Sequence, residues 1–278
     1  MRLASDCRTD ASLEIPDGIT LDGAGHTISA VDPPGGHFTG GILTNAGRSA
    51  SVINTRLLAQ SLANVCDASD NRLRGIFLDG ASGILRGNTV LDIHQGPSAC
   101  QEGNGIEVWN FSGDTVVVEI ADNVVDGYQK SGIVASGDVD ATTRHNRVGA
   151  SAPQAIVPAN GIQIGFGAWA TIEENQVTGN RWPRADAAAT AILLSGSAPG
   201  TVVRQNTITG NADVGIYIAA REATVTHNLV IDDGAVGFYD IGIVNHGEDN
   251  TVRDNDVRGY DERYFGVEPG TAGGLQVE

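Results

Sequence analysis

Alternating apolar and polar positions recur along the chain in short runs divided by small or polar residues. In "NGIQIGFGAWATIEENQVTGN", Asn160 to Asn180, Ile162 and Ile164 share one face of an extended strand, and Gln163 takes the other. A Gly-Ile or Ala-Ile pair places its isoleucine at Ile42, Ile76, Ile106, Ile133, Ile162, Ile192, Ile216 and Ile243, at intervals of 24 to 34 residues. A second mark follows each one 12 to 17 residues later: Asn54, Asn88, Asn123, Asn146, Asn175, Asn206, Asn228 and Asn255. Units of this length, built from strands too short to stand alone, bury their apolar faces only by stacking on their neighbours. A propeller blade needs four antiparallel strands and roughly 40 residues, so the shorter period predicts a parallel β-helix of about three strands per coil. Asn tolerates the left-handed backbone of a sharp corner, and the repeated Asn is expected to occupy one.

With coils about 4.8 Å apart, the repeat forms one domain over residues 1–278. A starting coil is expected at about 10–30, "SLEIPDGITLDGAGHTIS", and a last coil or cap at 260–278. The segment "PDGITLDGAGHTI", Pro16 to Ile28, and the iterated Gly-Ile and Asn units after it resemble bacterial right-handed parallel β-helix repeat proteins of the pectate lyase-like superfamily. That resemblance implies an all-β chain forming a single right-handed parallel β-helix of roughly nine to ten coils. It does not name a reaction: the superfamily holds polysaccharide lyases, glycoside hydrolases, uronate epimerases and proteins with no known activity.

Seventeen Lys and Arg against 34 Asp and Glu leave a net charge of −17. Such a field disfavours nucleic acid and anionic membrane surfaces as partners. It equally disfavours polyanionic sugars unless a cation such as calcium bridges them, and neither a calcium motif nor another metal-ligand spacing is present. No cofactor is implied. No apolar run approaches the 18 or so residues of a membrane helix, and "MRLASDCRTDASLEI" lacks the apolar core of a signal peptide. The chain therefore reads either as cytoplasmic or as a secreted protein whose signal has been removed. Cys66 and Cys100 fall in loops entering adjacent coils, where they form either a bridge or two separate thiols.

With the repeat isoleucines pointing inward, the residue after each and the one two further along point outward on one sheet face. That face carries Phe77 and Asp79, Glu107 and Trp109, Gln163, Tyr217 and His246. A titratable group, an amide and aromatic planes together suit a groove for a sugar or small molecule. Loops beside it add His94, Glu102, Tyr128, Gln129, Lys130, Arg181, Trp182 and Tyr239. Glu107, Lys130, His94 and Glu102 are the candidate proton-handling residues. Trp109, Tyr128, Gln129, Gln163, Arg181, Trp182, Tyr217 and Tyr239 are the candidate substrate contacts. Lys130 reads equally as a surface cation in a salt bridge. Asp232 and Asp233 stand alone, without the "NTD", "GHG" and "RIK" segments of β-helix hydrolases, and read as a hydrated corner.

Three functions follow. The first is a carbohydrate-active lyase, epimerase or hydrolase working by acid–base chemistry. The second is a small-molecule isomerase or cyclase whose groove is walled by aromatic rings. The third is a carbohydrate-binding or structural rod without turnover. Whichever holds, the tail "GVEPGTAGGLQVE" is available either to cap the rod or to mediate self-association through a terminal coil.

Overall fold

The computed structural model describes residues 1–95, 99–150, 157–234 and 238–267. Strands follow one another in threes around each coil and pair only with their counterparts in neighbouring coils, always in parallel. Three sheets result. Sheet I runs from Cys7–Thr9 to Asp256–Arg258 and sheet II from Leu13–Ile15 to Glu262–Phe265, with ten strands each; sheet III runs from Ile19–Asp22 to Thr251–Arg253 with nine. The all-β parallel β-helix with three strands per coil is thus as the repeat predicts. Among the described residues the single helix is a 3-10 turn at Ser69–Asn71, and none is long and apolar enough to cross a membrane.

The repeat isoleucines point inward and form the central ladder of sheet II: Ile76, Ile106, Ile133, Ile162, Ile192, Ile216 and Ile243 pair in sequence, all fully buried. Burying each side chain contributes roughly 2 kcal/mol. Beside them runs a glycine row. A Cβ on Gly132 would lie 2.4 Å from a Val148 methyl and 2.6 Å from the Gly161 carbonyl oxygen, so that position takes no side chain, whereas Ala191 is accommodated in the same row opposite Gly161.

The Asn repeat serves differently from the expected corner. Left-handed backbone belongs to the residue before each Asn: Gly87, Asp122, His145, Glu174, Gln205, His227 and Asp254, with φ between 54° and 66°. That residue turns the chain and aims the Asn side chain inward. Asn146 then donates its backbone N–H and Nδ2–H to Asn175 Oδ1 at 3.0 and 2.9 Å, and Nδ2 donates again to the Ile120 carbonyl. The same ladder runs from Asn88 to Asn255, leaving each buried amide satisfied.

The first repeat is displaced by one residue. Leu43, rather than Ile42, stands against Ile76, and Thr55, rather than Asn54, donates its N–H to Asn88. Asn54 takes the left-handed position, φ 51°. Both marks shift together, so the interval between them matches the other repeats while the register does not.

Candidate functional site

The outward face of sheet II carries a single row through all ten coils: Glu14, Thr44, Phe77, Glu107, Val134, Gln163, Leu193, Tyr217, Val244 and Phe265. Strand alternation puts Asp79, Trp109, Ser136 and His246 two residues further along on the same face. Loops cover part of it, so Phe77 and Glu107 face outward yet are buried.

The covered part centres on Arg74, three residues before Phe77 and wholly buried. Its Nε donates to Glu107 Oε2 at 2.5 Å, and Asn104 Nδ2 donates to the same oxygen at 2.8 Å. Nη1 donates to the carbonyls of Ser69, Asp70 and Arg72, so a loop with no regular strand is pinned over the guanidinium. Arg74 Cζ lies 4.1 Å from the centre of the Phe77 ring and 5.0 Å from that of Trp109. Trp109 meets Phe77 and Phe111 edge to face, at 5.1 and 5.9 Å. Arg74 Nη2 has no hydrogen-bond partner, and Glu107 Oε1 accepts none among the described residues.

The other side of Phe77 lines an open groove of about 580 Å³ that crosses the first coils of the sheet. Glu14 and Thr44 continue its floor, Asp79 stands at one side, and Asp70 and Arg48 come from loops on opposite rims. The carboxylates of Glu14, Asp70 and Asp79 and the Arg48 guanidinium make no ion pair or hydrogen bond among the described residues, and all four residues are exposed. Coil spacing and strand rise put the Cα atoms of Glu14 and Asp79 about 12 Å apart.

Of the sequence candidates, Glu107 and Trp109 are adjacent and border this region. Glu107's neighbours are Arg74 and Asn104; Lys130 instead donates Nζ–H to the Pro158 carbonyl at 2.8 Å, one coil further on. Burial pulls the Lys130 ammonium below its ordinary value. Glu102 is fully buried and accepts the backbone N–H groups of Asp67 and Leu73. His94 Nδ1 lies 2.8 Å from the Gln95 carbonyl.

Tyr128 belongs to the core. Its hydroxyl donates to Asn180 Oδ1 at 2.6 Å, and burial raises its pKa. Gln129 is buried and donates Nε2–H to the Cys100 carbonyl. Trp182 is also buried, its N–H bonded to Asp213 and its Nε1–H to Asp186, with Arg181 half-buried beside it. Tyr239 is partly exposed and donates to the Ala185 carbonyl. Gln163 accepts from Asn160, and Tyr217 stacks at 5.4 Å on His246, itself 5.2 Å from Phe265.

One feature differs from the sequence reading outside that set. Asp232 is buried rather than hydrated, and burial raises its pKa. Asn110 is buried and donates to the carbonyls of Asp114 and Asp138. The tail from residue 268 lies outside the described residues.

A family model described as "Right handed beta helix region" matches residues 104–272, which is more than half of the sequence. The chain belongs to the right-handed β-helix family. Within this family the match fixes the hand of the coils seen above. Among solved structures, the crystal structure of Dettilon tailspike protein (gp208) is similar at 15% identity, covering 94% of this chain and 60% of that chain, with a TM-score of 0.39. The chain thus spans less than two thirds of that protein's length. No curated protein matches the sequence.

Reasoning from sequence missed Arg74, Glu14 and Arg48. One signal was available for the first. Arg74 stands in a row whose next four coils carry Asn104, Ser131, Asn160 and Thr190, so it is a long cation at the head of a run of small polar residues.

Proposed function

We propose that this right-handed β-helix protein is a carbohydrate-active enzyme working by acid–base chemistry on the outer face of sheet II, with the groove over Glu14, Phe77 and Asp79 as its active site. One observation carries the reading: carboxylates and a guanidinium with no partner among the described residues converge on an open cleft. Other ionic groups on the surface do form ion pairs, as in Arg86–Glu119–Arg144 and Arg204–Glu173.

A pair of carboxylates on either side of a sugar ring supports hydrolysis. One protonates the leaving oxygen while the other activates water, and the wider spacings leave room for that water. Glu14 and Asp79 take those roles, and Arg48 holds a hydroxyl or ring oxygen, beside the buried Phe77. The net charge of −17 favours a neutral saccharide. An open, polar groove suits a saccharide better than the apolar substrate of an isomerase or cyclase.

The test is turnover of a panel of neutral oligosaccharides, followed by release of reducing ends and by the absorbance of any unsaturated product. Wild-type protein is expected to cleave at least one of them, and Glu14→Gln and Asp79→Asn to lose the rate at least about a hundredfold with unchanged melting. Equal rates in both variants would remove the pair from the reaction. A second reading has its own support. The Tyr217, His246 and Phe265 rings stack along the same face, which suits binding without turnover.

A further inference from the structure

Glu102 has no lysine, arginine or histidine paired with it among the described residues, although it is fully buried. Its oxygens accept one backbone N–H each, at 2.9 Å from Asp67 and 2.8 Å from Leu73, and each oxygen retains a further lone pair. A buried carboxylate left without a cation is costly. Beside it the Cys66–Cys100 disulfide joins the loop before Arg74 to the loop before Asn104, with the Cα atoms 5.2 Å apart. The two sulfurs and a Glu102 oxygen all lie within 4.8 Å of one another. Cys66 is exposed while Cys100 is buried, so the group has one side open to solvent.

Two thiolates and a carboxylate at such a spacing form the donor set of a tetrahedral soft-metal site with one open position. Zn–S bonds of about 2.3 Å and Zn–O bonds of about 2.1 Å require only that the sulfurs move apart once their bond is broken. We infer that the reduced protein binds one thiophilic divalent cation, Zn2+ being the type, through Cys66, Cys100 and Glu102. A dithiol reductant attacks the exposed Cys66 sulfur and the S–S bond breaks. The reductant leaves as its own disulfide, and two protein thiols remain. Metal binding then forms two metal–sulfur bonds and releases the two thiol protons.

The site has a structural consequence. The loop that Cys66 anchors also supplies the carbonyls that hold Arg74 Nη1 and the Asp70 rim of the groove. Disulfide and metal are therefore alternative clasps on the same loop, one for oxidising and one for reducing surroundings.

The experiment uses full-length protein carrying Cys7→Ser, which removes the exposed free thiol. After reduction with a phosphine and its removal, the protein is titrated with Co2+ and then Zn2+. The expected result is a thiolate-to-cobalt charge-transfer band at one equivalent, displaced by Zn2+, absent from the oxidised protein, and requiring at least about tenfold more metal in Glu102→Gln. No band in the reduced protein, or equal affinity in the Gln variant, overturns the inference. If Glu102→Gln does not fold, alkylation of the reduced parent decides: protection of both Cys66 and Cys100 by one equivalent of Zn2+ supports the site, and unchanged reactivity overturns it.

Discussion

Arg74 and Glu107 stand on adjacent coils of one sheet face and share a hydrogen bond of 2.5 Å, with the arginine side chain wholly shut off from solvent. Two ionic groups have been desolvated on the outside of a β-helix, beneath a loop and between two aromatic rings. Arg74→Ala strands the Glu107 charge and is expected to cost about 3 to 5 kcal/mol. The double variant Arg74→Met, Glu107→Leu is expected to cost less than the sum of the single changes. Urea unfolding of wild type, Arg74→Ala, the two single changes and the double variant measures both values.

The Asn ladder and the left-handed residue beside it separate cleanly. Asn175→Ala removes an acceptor used by two Asn146 donors and a donor used by Asn206 and the Thr143 carbonyl. It should lower stability by about 2 to 5 kcal/mol, given roughly 1 to 3 kcal/mol for each buried group left unpaired. Glu174→Gly, one residue earlier at φ 54°, relieves a conformation that glycine adopts freely and should be close to neutral. Equal losses would put the corner strain on the Asn instead.

Alternation in sheet II makes a third pair. Ile162→Ala truncates a fully buried side chain and should cost roughly 2 to 5 kcal/mol. Gln163→Ala loses one hydrogen bond from Asn160 on the outer face and should cost less than about 1.5 kcal/mol. Thermal melting of the two variants distinguishes them.

Asp213 is expected to impose a pH dependence. Burial pushes its carboxyl up to about 6; the N–H groups of Ala189 and Trp182 and the nearby Arg181 pull downward, and Asp240 adds to the rise. Tyr260, whose buried hydroxyl has no hydrogen-bond partner among the described residues, also feels this carboxylate. The folded protein holds the Asp213 proton more tightly than the unfolded chain, where the pKa is about 3.9. Its contribution to stability is therefore fully present below about pH 4 and is lost as the pH rises to about 6. Asp213→Asn keeps an acceptor for both N–H groups. Relative to wild type it should gain on the order of 2 kcal/mol between pH 4 and pH 7, read from melting curves at each pH.

The fold was legible because a solenoid writes the same packing problem into the chain many times. Inward isoleucines and buried asparagines recur wherever coils stack. Register was less legible at the first coil, where Ile42 and Asn54 imitate the marks one residue early while Leu43 and Thr55 do their work. The site was only partly readable. Alternation located Phe77, Asp79, Glu107 and Trp109 on one face, but loop residues have no period, so neither the burial of Glu102, Tyr128 and Trp182 nor the cover over Arg74 follows from spacing. Glu14 precedes the first recognisable repeat, and its place beneath Thr44 and Phe77 emerges only from strand pairing.

The most direct test is a crystal structure of the Glu14→Gln variant soaked with a neutral oligosaccharide that the wild-type protein turns over. Sugar density in the groove beside Phe77, with the scissile oxygen between residue 14 and Asp79 and a hydroxyl on Arg48, is the predicted result. Density confined to the Tyr217, His246 and Phe265 rings, with an empty groove over Phe77, would contradict the proposed active site.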